Sequence, residues 1–262
     1  MSNGPKIVVL DIETCPLESY TWGLWKVNVG LNQIKTEWTI LSFSAKTLGD
    51  KRVRYKDSGG RGVDKVRDDR EVCAALWKEL NEADIIVAQN GKKFDLKKIN
   101  ARLLALGFPP YRPVKIVDTL LAAKAHFGFT SNKLEWMSAH LTDAPKSKHA
   151  KFPGFELWVE CLKDNPLAWK EMRKYNVQDI VATEALYLKL RPWIEGHPNV
   201  AQYYDDEVMR CPKCGSDNLS QSGEVHTQVS TYKRYKCGEC GGFSRSRYTI
   251  NSKEKRKSLL VN

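Results

Sequence analysis

The chain of 262 residues has no apolar run near the roughly 20 residues that cross a bilayer as a helix. Its longest apolar stretch near the start, Ile7–Leu10, is broken at once by Asp11. The first residues, Met1-Ser-Asn-Gly-Pro-Lys6, lack the charged-then-apolar layout of a secretory signal. These absences lead to the expectation of a cytoplasmic protein with no membrane partner. The sequence has no internal repeat and no low-complexity segment, so neither a repeat array nor a disordered tract is expected. It also lacks the evenly spread cysteines of a disulfide framework. Cys15, Cys73 and Cys161 stand alone, and the other four fall into two pairs. One metal site in a reducing compartment explains that pattern best.

What is present fits a globular protein: 42% hydrophobic and 10% aromatic residues, enough for one well-cored domain and a smaller module. The net charge of +11 favours a polyanionic partner, with nucleic acid the commonest. The charge is uneven. Residues 211–262 hold ten Lys or Arg against four Asp or Glu, a surplus of six. The preceding 210 residues hold thirty-two against twenty-seven, a surplus of only five.

Strand patterns cover Lys6–Glu13, Trp38–Lys46, Arg52–Lys56, Asp84–Ala88 and Val114–Asp118. Helical spacing covers Asp68 to about Glu82, with Val72, Leu76 and Leu80 on one stripe, and Asp95–Leu106. Ser131 is the expected cap of a helix ending at Leu141, and Pro166 opens a long helical pattern to about Leu190. Alternation of strands and helices predicts an α/β domain. The prolines, glycine and acids of Pro192–Met209 mark a domain boundary. The expected division is a domain over 1–195, a linker over 196–208, a cysteine module over 209–250 and a basic, mobile tail over 251–262.

Asp11 and Glu13 stand two apart at the end of the first strand, so their side chains share one face. Neighbouring carboxylates repel unless a cation sits between them, and hard divalent cations take oxygen ligands. Alone, the pair reads more readily as an ordinary strand end. Asp95 opens a helix after Asn90-Gly-Lys-Lys-Phe94, where an Asp is often only a cap. Asp179 lies mid-helix, where Asp is disfavoured, four residues after Tyr175 and on the same face.

In order and separation, Asp-Ile-Glu-Thr, Asn-x3-Phe-Asp and Tyr-x3-Asp carry far more weight than any one of them. Together they resemble the DEDD (DnaQ-like) superfamily of 3′–5′ exonucleases. The tyrosine in the third motif resembles the tyrosine subclass, which includes the proofreading domains of family B DNA polymerases. The histidine subclass wants a His five positions before Asp179, and Lys174 stands there. The resemblance spans about residues 6–190. It implies a ribonuclease H-like fold, a mixed sheet flanked by helices. It further implies two Mg²⁺ or Mn²⁺ ions held by Asp11, Glu13, Asp95 and Asp179, with Tyr175 orienting the attacking water. By the same resemblance Thr14, Asn90 and Phe94 stand where related enzymes hold the terminal nucleotides, although a core role is the simpler expectation for Phe94. Trp22 and Trp25 follow the first motif; as large aromatics they are expected in the core, with base stacking the alternative. The basic loop holding Lys146, Lys148, His149 and Lys151 is expected to be solvated, with phosphate contact the alternative.

Cys211-Pro-Lys-Cys214 and Cys237-Gly-Glu-Cys240 form two Cys-x2-Cys knuckles. That spacing signals one structural Zn²⁺ with no open coordination position; a redox pair or two disulfides are the competing readings. Gly215, Gly241 and Gly242 suit the tight turns. The module resembles a zinc ribbon whose metal supplies the folding energy. Its Tyr232-Lys-Arg-Tyr-Lys236 and Phe243-Ser-Arg-Ser-Arg-Tyr248 segments interleave basic and aromatic residues, as nucleic-acid surfaces do. Docking of a protein partner through the ribbon is the alternative. The reading reached is a 3′–5′ exonuclease acting on DNA or RNA at a 3′ end. A structure-specific endonuclease on the same fold and a non-catalytic nucleic-acid-binding adaptor are the competing functions.

Overall fold

The computed structural model describes residues 4–147 and 149–261. Two compact units are present, Lys6–Tyr187 and a second comprising Met1–Pro5 with Leu188–Asn262.

The first unit is built on a mixed sheet. Strand β1 runs Ile7–Thr14. A small hairpin follows, β2 (Glu18–Ser19) and β3 (Ile34–Thr36). Strands β4 (Ile40–Thr47), β5 (Arg54–Asp57), β6 (Ile85–Ala88) and β7 (Lys115–Asp118) complete the sheet in the order β5-β4-β1-β6-β7. β1 is antiparallel to β4 and parallel to β6, so it sits at the centre with ladder bonds on both sides.

Alternation along β1 separates two environments. Val8, Leu10 and Ile12 enter a core made with Val72, Leu76 and Leu80 of helix α1 (Arg70–Glu82) and with Ile99 and Leu103 of helix α2 (Asp95–Ala105). Leu41 of β4 joins a second core with Leu157 and Cys161 of helix α5 and with Ala168, Trp169 and Met172 of helix α6. Here α5 is Glu156–Leu162 and α6 is Pro166–Leu190. Two shorter helices, α3 (Thr119–His126) and α4 (Leu134–Leu141), lie between β7 and α5 in the chain. The unit is a mixed sheet with flanking helices, the architecture that the resemblance implies.

The α4 start differs from expectation. Lys133, not Ser131, occupies the capping position, and the Ser131 hydroxyl instead accepts the Lys133 amide at 3.3 Å. The end of the chain also differs: Ser252 caps a short helix α7, Lys253–Ser258, through the Lys255 amide. Among the described residues no helix is long and apolar enough to cross a membrane.

The second unit contains a three-stranded antiparallel sheet of β8 (Leu219–His226), β9 (Thr231–Cys237) and β10 (Phe243–Arg245), ordered β10-β9-β8. Its two knuckles are built alike. The Gly215 amide bonds the Cys211 carbonyl at 2.9 Å, and the Gly241 amide bonds the Cys237 carbonyl at 3.0 Å. Gly215 has φ of 80° and Gly241 of 74°, values an L side chain resists. The four sulfurs lie within 4.8 Å of one another. Cys211 Sγ is 3.7 Å from Cys240 Sγ, and Cys214 Sγ is 3.6 Å from Cys237 Sγ. Tetrahedral thiolates at a zinc–sulfur distance of about 2.3 Å stand about 3.8 Å apart. The module is a zinc ribbon in form, and its four sulfurs fit one Zn²⁺ without leaving a ligand position open.

Candidate active site

The sheet prepares one face of β1 for charge. Asp11 pairs with Ser44 across to β4, and Glu13 pairs with Ser42. Both serines are fully buried and small, which leaves room beside each carboxylate. The register shifts between Glu13 and Thr14, and such irregularities re-aim side chains at strand ends. Helix α6 brings Asp179 to the same place. Oxygens of Asp11, Glu13 and Asp179 lie within 4.8 Å of one another.

Asp95 is near this trio but not within it. It is buried, and its Oδ1 accepts the Ile12 amide at 3.1 Å, pinning the start of α2 to the strand between the two acids. Its charge still raises the pKa of both Asp11 and Glu13.

Electrostatics confirm an unbalanced cluster. Burial raises Asp11 well above the ordinary carboxylate range, and Asp179, Asp95 and Glu13 add to this. Glu13 is pushed up to about 8, chiefly by burial and then by Asp179. Burial brings Asp95 to about 7. Asp179 is also raised by burial, although Lys146 opposes the shift. Asp179 Oδ1 is buried without a hydrogen-bond partner. Crowded oxygens of one sign, one of them orphaned, form the donor set of a hard divalent cation.

Several groups hold the cluster in place. Asn176, fully buried on α6, donates from Nδ2 to Asp11 Oδ2 at 2.5 Å. Its Oδ1 accepts the Ser42 hydroxyl at 3.4 Å. Lys146 Nζ donates to Asp179 Oδ2 at 2.7 Å and lies 4.5 Å from the centre of the Tyr175 ring. Burial alone would lower the Lys146 pKa, but Asp179 and Tyr175 more than offset it and the ammonium is held charged. Tyr175 is raised to about 12 by burial and then by Asp179. His149 packs edge-on against Tyr175 with ring centres 5.0 Å apart, and Trp158 does so at 5.9 Å. Beside Tyr175 a cleft of about 440 Å³ is lined by Lys146, Ser147 and His149 among others.

The expected solvated loop is therefore wrong for Lys146 and His149, whose side chains turn in toward Asp179 and Tyr175. Lys151 is exposed, as expected. Lys148 lies outside the described residues. Asn176 and Trp158 had no part in the sequence reading; the one available signal was that Asn176 is three residues before Asp179 and so shares its helical face.

The residues carried over for substrate contact sit around the same strand ends. Thr14 is half-buried at the end of β1. Asn90 has φ of 65°, and its amide bonds Asp118 Oδ1 at 3.1 Å. Asp118 also takes the amides of Lys92, Leu120 and Leu121, so one carboxylate secures the turn and caps α3. Phe94 is 37% exposed at the start of α2, not in the core. Trp22 and Trp25 are likewise exposed rather than buried.

The family model of the RNase H superfamily matches residues 8–191. The chain belongs to the RNase H superfamily. No curated protein sequence matches it. Among solved structures it is similar to the family B DNA polymerase from the hyperthermophilic archaeon Pyrobaculum calidifontis, with 18% sequence identity and a TM-score of 0.50. That likeness covers 72% of this chain and 25% of the polymerase chain, so the protein spans about a quarter of that neighbour. It is a likeness of fold. Superfamily membership and the acidic cluster together support a nuclease.

Proposed function

We propose that the protein is a metal-dependent 3′–5′ exonuclease hydrolysing phosphodiester bonds of DNA or RNA, with Asp11, Glu13, Asp95, Asp179 and Tyr175 as its catalytic set. The observation that carries this is the convergence of Asp11, Glu13 and Asp179 oxygens within 4.8 Å beside Tyr175 on an RNase H-type sheet. Two Mg²⁺ or Mn²⁺ ions held by the four carboxylates would supply an activated water and stabilise the departing 3′ oxygen.

The protein's own groups orient this chemistry. Asn176 fixes the Asp11 carboxylate in one rotamer. Lys146 fixes Asp179 through its 2.7 Å hydrogen bond and lies against the Tyr175 ring. A tyrosine held near pKa 12 stays protonated at neutral pH, so Tyr175 positions the attacking water rather than deprotonating it. Thr14, Asn90 and Phe94 flank the strand ends and would contact the terminal nucleotides.

The ribbon is proposed to aid nucleic-acid binding. Its Arg245 guanidinium lies 4.0 Å from the centre of the Tyr232 ring, and Arg234 lies 5.5 Å from that of Phe243. A cleft of about 320 Å³ on this unit is lined by Tyr235, Arg245, Arg247 and Tyr248 among others. Stacked cations beside open aromatic faces suit phosphates and bases. Residues 1–195 are proposed as the nuclease domain and 209–250 as the ribbon.

Asp11→Ala is expected to abolish Mg²⁺- or Mn²⁺-dependent degradation while leaving the circular dichroism spectrum unchanged. End-labelled DNA and RNA should lose nucleotides stepwise from a free 3′ end. Internal cuts would replace the exonuclease with an endonuclease; full activity in the variant would remove the carboxylate assignment altogether.

A further inference from the structure

Between β1 and β4 the chain makes an arm whose root is fastened and whose tip is bare. At the root, the Cys15 amide bonds the Thr39 carbonyl at 2.9 Å, and β2 pairs with β3. Arg67 clamps both sides. It donates to Cys15 Sγ at 3.0 Å, the Glu37 carbonyl at 3.0 Å and the Pro16 carbonyl at 3.3 Å, and it pairs with the Glu18 carboxylate. Gln33 ties the middle, donating to the Tyr20 carbonyl at 3.0 Å and accepting the Gly30 amide at 2.8 Å. Beyond these bonds Trp22 is fully exposed and Trp25 is 88% exposed. Leu24 and Leu31 are equally bare. Tryptophan is a costly residue to leave in water, and a contiguous apolar patch of this kind marks a binding surface.

The chemistry around the indoles selects the occupant. Residues 20–33 contain Lys26 and no acidic residue, while Lys35 at the root is paired with Glu18; the tip is left positively charged, which favours a polyanion. The two tryptophans border an open cleft of about 610 Å³ together with Asn28, Asn32 and Gln33. Indole faces stack on bases of any sequence, side-chain amides meet base edges, and lysines meet the phosphates of an unpaired strand. Strand β2 of the arm begins only five residues beyond Glu13. We propose that residues 20–33 form a stacking arm that holds an unpaired stretch of the nucleic-acid substrate on Trp22 and Trp25. This rests on the nuclease reading above.

The test uses the full-length, zinc-loaded chain carrying Asp11→Asn, so that the probe survives. Affinity is measured by fluorescence anisotropy for single-stranded DNA, single-stranded RNA and a blunt duplex. Replacing both tryptophans by alanine is expected to weaken single-strand binding on the order of tenfold or more. Duplex binding should change little. Replacing both by phenylalanine should restore most of the loss, because the stacking face returns. Unchanged single-strand affinity in the alanine variant overturns the arm, as do equal losses in the alanine and phenylalanine variants. A dimer that the alanine change converts to monomer in sedimentation overturns it in favour of an interface between copies. If the Asp11-intact parent neither binds nor cleaves any probe, the nuclease reading itself fails; a parent that cleaves while the arm variants bind normally removes only the arm.

Discussion

Asp11, Glu13 and Asp179 are placed against their own stability. A carboxylate whose pKa rises on folding costs nothing below its unfolded value, near 4.5 for Glu13, because both states are then protonated. The cost grows above that value and is fully present beyond the folded pKa, about 8. Metal-free protein should therefore lose stability as pH climbs through this window, and a divalent cation should restore it. Glu13→Gln removes one of the repelling charges. Its metal-free melting temperature at pH 8 is expected to rise by about 2 °C or more, while cleavage is lost. Calorimetric scans with and without Mn²⁺ read the stability changes and a cleavage assay the loss of activity; a variant that melts lower without metal would show that the Glu13 carboxylate stabilises the fold instead. Stability given up for a reactive site is a familiar exchange.

At the level of elements, the turn between β6 and α2 sets the angle at which Asp95 meets β1. A Cβ added at Gly91 would stand 2.5 Å from the Ala88 Cβ and 3.3 Å from Ile116 Cδ1. Gly91→Ala should cost about 1–3 kcal/mol and, by tilting the start of α2, lower cleavage more than it lowers metal-free stability. Paired melting and initial-rate measurements check this; equal proportional losses would mean the turn matters only for folding. Strand β1 was readable as an apolar run ending in acidic residues, and the long α6 as a helical pattern opened by Pro166. The β2–β3 hairpin was not, since strands of two and three residues are too short for any period. Helix α3 is only eight residues long and apolar on most sides, so no stripe announces it. Tyr175 and Asp179 were legible as one helical face. The Lys146–Asp179 bond was not, because it joins residues 33 apart through a loop with no repeating pattern. The exposure of Trp22 and Trp25 contradicts what their hydrophobicity predicts, and such failures of a local rule tend to fall at functional places.

On the scale of the whole molecule, two kinds of metal site imply two kinds of behaviour. The four ribbon sulfurs would fill every position of one tetrahedral ion, whereas three clustered carboxylates would leave positions of a six-coordinate cation for water and substrate. Stripping zinc with a thiol-reactive mercurial should unfold the ribbon and flatten the salt dependence of substrate binding, because basic residues of the second unit then cease to meet phosphates together. Mg²⁺-dependent cleavage of short substrates by the first unit should persist. A salt slope unchanged after zinc loss would assign the ribbon to a protein partner. The position of β1 carries one more consequence. The strand pairs with β4 from Val8 to Thr14 and with β6 at Ile7–Val9, and Asp95 takes the Ile12 amide, so this stretch has no frayed edge through which solvent deuterium can enter. Hydrogen exchange at Val8–Ile12 is expected only through global opening of the Lys6–Tyr187 unit. The backbone beneath Asp11 and Glu13 would then be the last part of that unit to exchange. Loss of cleavage in rising denaturant would report unfolding of the whole sheet, and the acids would keep their geometry through every smaller opening that precedes it.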